Sequence, residues 1–448
     1  MPDNPYDEVA YPTLPDARTH PDRLAAVATF YGMRHAPVDG CRVLELGCGD
    51  GGNLVPMAYA LKASEFTGVD LAPEPLERCR RVLEDLAIGN VQLRLADVRD
   101  LDRTLGEFDY VIAHGLYSWI PEQARDGLLR LCGAVLAANG VAFVSYNALP
   151  GRHVRQMLRE MMLSRTMGAK TPGEKMAQAR AFLETLVESR MAPVAWQEML
   201  EHEAALLLAA PEGSFWHDDL APVNVPVNIT EFAAHAARHG LAYLGDADTH
   251  LMFDPRGALE GIRGTIEREQ YLDNLICRPF RMTLLCRECV SVDREVGPER
   301  MDEFLFAAPP GGLHGIQARR GHRSLEQVTA ALADTYPLPA SFEDLLPYAR
   351  SAEELREILY ALITTGFATF HVYEFPCEET VTERPKASAL ARYQARTSEV
   401  VTNLCHTAVK LDEKGREVIV TLDGTREAAE GSDGELLEWF ARMALLEA

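Results

Sequence analysis

The sequence predicts an α/β fold with a parallel, doubly wound sheet in the first half of the chain. Between residues 41 and 150, short apolar segments typical of strands alternate with amphipathic segments typical of helices. This order produces parallel strands joined by right-handed crossovers. Two later segments, Leu241–Leu244 and Phe280–Cys286, are again strand-like, so the sheet is expected to resume. The five earlier predicted strands are Val43–Leu46, Glu65–Asp70, Val91–Leu95, Phe108–Ala113 and Gly140–Ser145.

The length of 448 residues predicts two or three domains. Residues 152–210 are rich in Ala, Leu, Met, Arg and Glu and predict helices. Beyond 296, two helical patterns (324–334 and 351–365) and a strand (368–373) predict a winged-helix-like module. The expected division is an N-terminal segment and helix (1–40), the core (41–150), a helical insertion (151–227), the completion of the sheet (228–295) and the C-terminal module (296–448).

Composition and charge restrict the classes of partner. The formal net charge is −23, which argues against binding to a phosphate backbone and favours a small molecule or a basic peptide. The C-terminal module is therefore expected to bind a partner or to form a homodimer rather than to bind DNA. Neither a secretory signal nor a membrane span is predicted. Nine cysteines without regular spacing predict free thiols in the cytoplasm.

A glycine-rich turn follows the first predicted strand. The sequence from 45 to 53 reads Glu-Leu-Gly-Cys-Gly-Asp-Gly-Gly-Asn, and a helix is predicted to start at its end. Glycine allows the backbone to turn tightly and to approach a ligand closely. The helix start adds free N–H groups and the positive end of a dipole. This context predicts a cofactor site.

Two cofactors fit the turn. Gly47, Gly49 and Gly52 match the dinucleotide fingerprint, with Asp70 as the ribose ligand. Class I methyltransferases use the same start for S-adenosylmethionine, with an acid two positions before the first glycine, here Glu45. Asp97, at the end of the third strand, is placed to accept from an adenine amino group. The late strands match the antiparallel sixth and seventh strands of that class, so these features together favour S-adenosylmethionine.

The segment from His114 to Pro121 follows the fourth strand, where functional residues gather in open α/β sheets. His114, Tyr117 and Trp119 are candidates to face a methyl acceptor, and His114 is a candidate base. The alternative is a packed loop that caps the sheet. The N-terminal residues are either a frayed tail or an ordered lid, and Thr19 is the expected cap of the first helix.

No metal site is predicted. Cys286-Arg287-Glu288-Cys289 lacks a second ligand pair at zinc spacing. The triplet at 217–219, His-Asp-Asp, is predicted to face solvent or to lie in a loop.

The sequence resembles bacterial class I S-adenosylmethionine-dependent methyltransferases with a methyltransferase regulatory domain, a group that includes protein-lysine methyltransferases of rickettsias. The resemblance covers most of the chain. It rests on the segments 6–12, 19–24, 45–49, 114–121, 145–151, 240–244, 280–286 and 422–426.

The resemblance implies that S-adenosylmethionine is the cofactor and S-adenosylhomocysteine the product. It also implies that the N-terminal segment covers the cofactor. The expected catalytic residues are His114, Tyr117 and Tyr11, and the expected substrate-binding residues are Tyr117, Trp119, Tyr146 and Asn147. The expected cofactor-binding residues are Tyr6, Tyr11, His20, Glu45, Gly47, Gly49, Asn53, Asp70, Leu71, Asp97, Val98 and His114.

Three hypotheses on function follow. The first is methylation of a protein or peptide side chain, for which the resemblance suggests lysine. The second is methylation of a small metabolite or natural product. The third is a regulator that binds the cofactor without catalysis.

Overall fold

A seven-stranded sheet forms the centre of the molecule. The computed structural model describes residues 8–11, 13–254, 257–310, 323–425, 427–428 and 432–447. The strands follow the order β3-β2-β1-β4-β5-β7-β6 across the sheet. Their bounds are β1 Arg42–Leu46, β2 Glu65–Asp70, β3 Val91–Leu95, β4 Phe108–Ala113, β5 Leu136–Asn147, β6 Leu241–Asp246 and β7 Phe280–Arg287.

The direction of the last two strands corrects the sequence prediction. Strands β1 to β5 are parallel, and β7 pairs antiparallel with both β5 and β6. β6 therefore runs in the same direction as β1 to β5, and only β7 is antiparallel to them. The prediction of two antiparallel strands was wrong for β6. Since β7 lies between β5 and β6 and is antiparallel to both, β6 is parallel to β5.

Four helices pack around the first five strands. Their bounds are α1 Pro21–Phe30, α2 Leu54–Ala60, α3 Pro73–Asp85 and α4 Glu122–Val135. The predicted cap of α1 was wrong: His20, not Thr19, caps the helix, since its Nδ1 accepts from the backbone N–H of Asp22. The Thr19 hydroxyl instead donates to the carbonyl of Asp16.

The predicted helical insertion is present and has a hydrophobic cluster of its own. It comprises α5 His153–Arg165, α6 Pro172–Ser189 and α7 Val194–Ala209. A short helical turn, Glu212–Ser214, and a π-helical turn, Phe215–Leu220, then lead the chain back to the sheet.

Two helices, α8 Ile229–Ala237 and α9 Thr265–Ile276, flank the last two strands. Arg281 of β7 is fully buried and binds Asp273 and Glu269 of α9, each at 2.8 Å. The neighbouring Arg278 pairs with Asp246 of β6 at 3.2 Å. Buried charges need such partners, and the network ties α9 to the end of the sheet.

The C-terminal third packs in two parts. Strands β8 Leu305–Ala307, β9 Ala340–Ser341 and β10 Thr369–His371 form a small sheet with α10 Arg323–Thr335, α11 Phe342–Leu345 and α12 Ala352–Thr364. Their apolar residues join the core of the large sheet. The remaining elements form a separate cluster: α13 Ala389–Gln394, β11 Val400–Thr402, β12 Ala408–Lys410, α14 Glu413–Thr421 and α15 Ser432–Arg442.

Short 3-10 turns at Ala17–Thr19, Val98–Asp100, Arg103–Leu105, Thr249–Met252, Pro298–Glu303 and Leu346–Tyr348 complete the described elements. Within the described residues, no helix has both the length and the apolar character required to cross a membrane.

Candidate active site

A cavity of about 840 Å³ opens at the carboxyl ends of β1 to β4. This is the edge of an open α/β sheet where ligands bind, and the volume lies within the range of small-molecule sites, roughly 300–1,000 Å³. The glycine turn forms its floor. Gly49 has a φ of +54° and donates its N–H to Asp70 Oδ2 at 2.8 Å. The predicted residues Gly47, Gly49 and Asp70 thus meet in one wall.

Asn53 connects the turn to three other parts of the chain. Its amide nitrogen donates to Glu45 Oε1 at 2.9 Å. Its amide oxygen accepts from the backbone N–H of Asp16 at 3.0 Å and lies 3.1 Å from the Thr19 hydroxyl oxygen. His406, in the turn between β11 and β12, contacts the same oxygen through Nε2 at 2.9 Å. Asn53 therefore fixes the orientation of the Glu45 carboxylate.

Glu45 has one carboxylate oxygen without a hydrogen-bond partner. Oε2 is buried and unpaired, whereas Oε1 is bound by Asn53. Burial raises the pKa of Glu45 to about 8, and the negative charge of Asp70 acts in the same direction. A ligand ammonium group would supply the missing donor and favour the ionised form. This buried oxygen fits the amino-acid part of S-adenosylmethionine.

Residues that follow β2 and β3 also line the cavity, together with Leu14 near the N-terminus. Leu71 is 46% exposed and Leu14 is 56% exposed, and both line the cavity. Asp97 and Val98 line it as well. The Asp97 carboxylate is already bound by Arg99, at 2.6 Å between Oδ2 and Nη2, which keeps its pKa low. The exposed leucines suit a flat apolar ring, and Asp97 stays ionised beside it.

The N-terminal segment (residues 8–11 and 13–19) forms part of the cavity wall. The Thr13 hydroxyl accepts from the backbone N–H of Gly52 at 3.1 Å and also bonds Asp50. Tyr11 and Asp16 line the cavity. The described part of the segment is thus an ordered cover rather than a frayed tail. The expected cofactor ligand Tyr6 lies outside the described residues.

His114 and Trp119 line the cavity on the side of β4. His114 Nδ1 is 3.0 Å from Ser145 Oγ, and its Nε2 lies 3.7 Å from Asp16 Oδ2. Burial lowers the pKa of His114, so the ring is neutral at neutral pH. The Trp119 indole N–H donates to the carbonyl of Asp218 at 3.4 Å.

Asp218 is a site residue that was not predicted from the sequence. It lines the cavity, and the Tyr11 hydroxyl lies 3.4 Å from its Oδ2. Burial and the neighbouring Asp219 raise its pKa to about 7. The expectation that 217–219 faces solvent was wrong, since His217 and Asp219 are buried and Arg155 binds Asp219 at 2.7 Å. The two adjacent acids could have indicated a site from the sequence. The π-helical turn, which places Asp218 on the cavity and Asp219 against Arg155, was not predictable.

Three expected substrate ligands lie outside the cavity wall. Tyr117 is buried, and its hydroxyl meets His235 Nδ1 at 2.8 Å. Tyr146 is fully buried and stacks on Phe232. Asn147 donates to Asn224 at 2.9 Å. Their aromatic and amide groups are used in the packing behind β4 and β5, so they do not stand where an acceptor would enter.

His20 is also displaced from its expected role. It is buried behind Asn53 against the His406 ring, at 5.4 Å between ring centroids. It does not line the cavity. In contrast, Thr407 and Ala408 of the C-terminal region line the cavity. Nothing in their local sequence marks these residues, because they reach the site only through the packing of the last described part of the chain.

Comparison with known proteins identifies the family. Family models match three segments: a methyltransferase domain (43–140), a predicted methyltransferase regulatory domain (212–287) and the C-terminal winged-helix domain of PKMT proteins (383–445). An uncharacterized protein of Rickettsia prowazekii is 31% identical over 234 residues, which cover 52% of this chain and 94% of that protein. The chain belongs to the class I methyltransferases that carry a methyltransferase regulatory domain.

This methyltransferase has a second relative in Rickettsia prowazekii, also uncharacterized, which is 29% identical over 462 residues covering 94% of this chain and 83% of the relative. The structure of PKMT2 from Rickettsia typhi matches with a TM-score of 0.86 at 24% identity, covering 97% of this chain and 99% of that one. Its complex with AdoHcy matches with a TM-score of 0.85 and the same coverage. The predicted family and fold class are confirmed.

The chain is thus an S-adenosylmethionine-dependent enzyme with a C-terminal winged-helix domain. The winged-helix match lies at 383–445, whereas the pattern that predicted such a module was found at 324–373. The latter segment forms the small sheet and helices that share the main core.

Proposed function

We propose that this methyltransferase transfers a methyl group to the side-chain amine of lysine in a protein or peptide. The observation that supports the proposal is the position of the Asp218 carboxylate on the cavity wall and its raised pKa. This carboxylate is partly buried, with a pKa raised to about 7, beside the Tyr11 hydroxyl and Trp119. A lysine ammonium is the acceptor group that such an acid would recognise.

The donor would bind at the glycine turn and the ends of β2 and β3. Glu45 would hold the ammonium of the cofactor, Asp70 its ribose hydroxyls, and Asp97 with Leu71 its adenine. When bound, S-adenosylmethionine supplies an electrophilic methyl group on a sulfonium and leaves as S-adenosylhomocysteine.

The acceptor amine must be neutral to attack. Lysine amines are protonated at neutral pH, so a proton must leave before the new N–C bond forms. The ionised Asp218 would bind the ammonium and take up that proton at its carboxylate. A pKa near the working pH suits a group that both accepts and releases a proton. Arg152 and Arg155, close to Asp219, favour the ionised form of Asp218.

The aromatic groups would orient the acceptor. Trp119 and Tyr11 line the same part of the cavity as Asp218, and an aromatic face attracts a cation while it excludes water. Positioning of this kind supplies much of the rate in a displacement reaction.

The comparisons support the same acceptor class. The winged-helix model that matches 383–445 is described as that of PKMT, a protein-lysine methyltransferase, and the Rickettsia typhi protein with the same fold is named PKMT2. The net charge of −23 suits a basic acceptor segment. The nine free thiols support a reducing compartment such as the cytoplasm. The homodimer suggested by the sequence stays a prediction.

Asp218→Asn tests the proposal. Because the wild-type carboxylate must be ionised to accept the proton, kcat/KM should fall as the pH drops below about 7. The variant should lose roughly 10²–10⁴-fold in rate together with that pH dependence. The measurement is transfer of tritiated methyl groups into bacterial lysate, separated into protein and small-molecule fractions.

Two controls make the result specific. Asp218→Asn should bind S-adenosylmethionine with wild-type affinity, since Asp218 lies on the acceptor wall. Asp334→Asn, an exposed position on α10, should retain the wild-type rate and pH profile. Label confined to the small-molecule fraction, or an unchanged pH profile in Asp218→Asn, would contradict the proposal.

A further inference from the structure

Outside the cavity, three side chains converge on one point between α4 and α8. His235 Nε2 and His239 Nε2 lie 3.1 and 3.0 Å from the same oxygen, Asp126 Oδ1. The ligand atoms of the three residues all lie within 4.8 Å of one another. We propose that Asp126, His235 and His239, here named the His–Asp cluster, bind a divalent transition-metal ion such as Zn²⁺.

The separations suit a tetrahedral ion. With metal–ligand bonds of about 2.0–2.2 Å, neighbouring ligand atoms stand about 3.3 Å apart. The two nitrogen-to-oxygen distances of 3.0 and 3.1 Å are slightly shorter, as expected for groups that contact one another directly. An expansion of a few tenths of an ångström at these two contacts, with the two histidine nitrogens about 3.3 Å apart, would admit the ion.

The backbone holds the cluster in place before any ion arrives. His235 lies in the last turn of α8, and His239 lies two residues beyond its end, where both rings contact the same Asp126 oxygen. On α4, Asp126 and Gly133 are two turns apart and share a face. A Cβ at Gly133 would collide with the carbonyl oxygen of His239. The glycine therefore lets α4 approach the end of α8 closely enough for Asp126 to reach both rings.

Tyr117 provides an outer partner for one ligand. Its hydroxyl lies 2.8 Å from Nδ1 of His235, and the Tyr117 ring is fixed by an edge contact with Phe232 at 5.1 Å between centroids. A metal-bound histidine usually donates its other ring N–H to an oxygen, which sets the tautomer and orients the ring. Tyr117 supplies that oxygen. This buried tyrosine does not line the cavity, and its role is to orient His235 in the proposed metal site.

The surroundings favour a borderline ion over Ca²⁺ or Mg²⁺. Two imidazoles and one carboxylate suit zinc and its neighbours, whereas hard cations prefer sites built of oxygen. The side chain of Asp126 is 52% exposed, while those of His235 and His239 are 11% and 16% exposed. One side thus stays open to water. Arg238 places a positive charge near His235, which weakens binding, and the Asp126 charge opposes it.

Such an ion would link two segments of the molecule. Asp126 belongs to the methyltransferase domain (43–140), and both histidines belong to the regulatory domain (212–287). Tyr117 lies in the loop that also places Leu116, Trp119 and Ile120 on the cavity. The His–Asp cluster is thus a point at which metal supply could stabilise the acceptor side of the active site.

The test is a zinc titration of untagged, chelator-stripped protein in competition with a chromogenic chelator. Cys277 and Cys289, exposed thiols in the described part of the chain, are first changed to serine so that they do not compete. One equivalent of Zn²⁺ should bind, and Co²⁺ should give the absorption bands of a tetrahedral site. Zn²⁺ should also raise the unfolding temperature.

Variants identify the ligands. His239→Ala and Asp126→Ala should lose more than the roughly 10–100-fold in affinity expected for the outer-partner variant Tyr117→Phe. His202→Ala, an exposed histidine on α7, should bind as the parent does. Circular dichroism should show the same helix content in all four. Binding of less than one equivalent by the parent, or equal affinity and equal thermal stabilisation in His239→Ala, would overturn the proposal.

Discussion

At the scale of single residues, the Glu45 carboxylate is only half satisfied. Asn53 donates to one oxygen, and the other is buried without a donor. Leaving a buried acceptor unpaired costs on the order of 1–3 kcal/mol, a cost that a ligand ammonium would remove. Burial also disfavours the ionised carboxylate, and this raises the pKa of Glu45.

Glu45→Gln should therefore weaken S-adenosylmethionine binding by about 1.5–3 kcal/mol, the range for hydrogen bonds to charged groups. Because the pKa of Glu45 is about 8 in the free protein, wild-type binding at pH 7 should release a proton as the carboxylate ionises. The variant should release none. Calorimetry in two buffers of different ionisation enthalpy measures both quantities.

Asp97→Asn is the matched control for this experiment. Its carboxylate has a lowered pKa because Arg99 binds it, so it is ionised at pH 7 with or without a ligand. This variant should lose affinity without changing the proton release. Wild-type binding without proton release at pH 7 would contradict the role given to Glu45.

At the scale of elements, the glycine turn and the N-terminal segment form one unit. A Cβ at Gly52 would collide with the hydroxyl and the carbonyl oxygen of Thr13. Gly52 is therefore needed for the docking of the cover as well as for the turn. The Thr13 hydroxyl, which accepts from the Gly52 N–H, holds the two together.

Gly52→Ala should displace the N-terminal segment and so speed the cleavage of its peptide bonds in limited proteolysis. It should also weaken cofactor binding, since the segment lines the cavity. Gly89→Ala is the control, because a Cβ there meets no atom within 4 Å. Equal proteolysis rates for the two variants would show that Thr13 does not depend on Gly52.

The sequence predicted the elements more completely than the contacts among them. The predicted bounds of β2, β3 and β4 match the structure because alternation and turn residues act locally. Asp70 and Glu45 were predictable because the glycine turn lies beside them. Asp218 was not, since it reaches the cavity from a π-helical turn about 170 residues away. Tyr117 was misplaced because an aromatic after a strand end suits either a site or a core.

At the scale of the whole molecule, two buried histidines lie where three parts of the chain meet. His20 precedes α1, and His406 belongs to the C-terminal region. The His20 ring packs against the His406 ring, and His406 contacts Asn53. Burial lowers the pKa of His20 to about 4 and that of His406 well below its usual value. The buried junction therefore favours the neutral form of both imidazole rings.

This arrangement predicts loss of stability in mild acid. Between pH 6.5 and 4 the unfolded chain takes up a proton at His20 and the folded chain does not, so the free energy of unfolding falls as the pH drops. For a pKa of about 4 against 6.5, the loss from this residue at pH 5.5 is about 1.4 kcal/mol. His406 acts in the same direction.

His20→Asn tests this contribution, because asparagine also caps helices but does not titrate. The difference in the free energy of unfolding between pH 8 and pH 5.5, from urea titrations, should be smaller in the variant by about 1.4 kcal/mol. Comparing each protein with itself removes the cost of the lost ring. An identical acid slope in both proteins would refute the prediction.

Thr407 and Ala408 form part of the cavity wall, and they are synthesised long after the other residues that line it. The ribosome makes the glycine turn about 350 residues before these two positions. A nascent chain can therefore fold its large sheet early and still present an open, unwalled cavity. Asn53 also lacks its contact with His406 until then. The complete cavity wall thus forms only after residue 408 has left the ribosome, and we expect methyl transfer to begin only then.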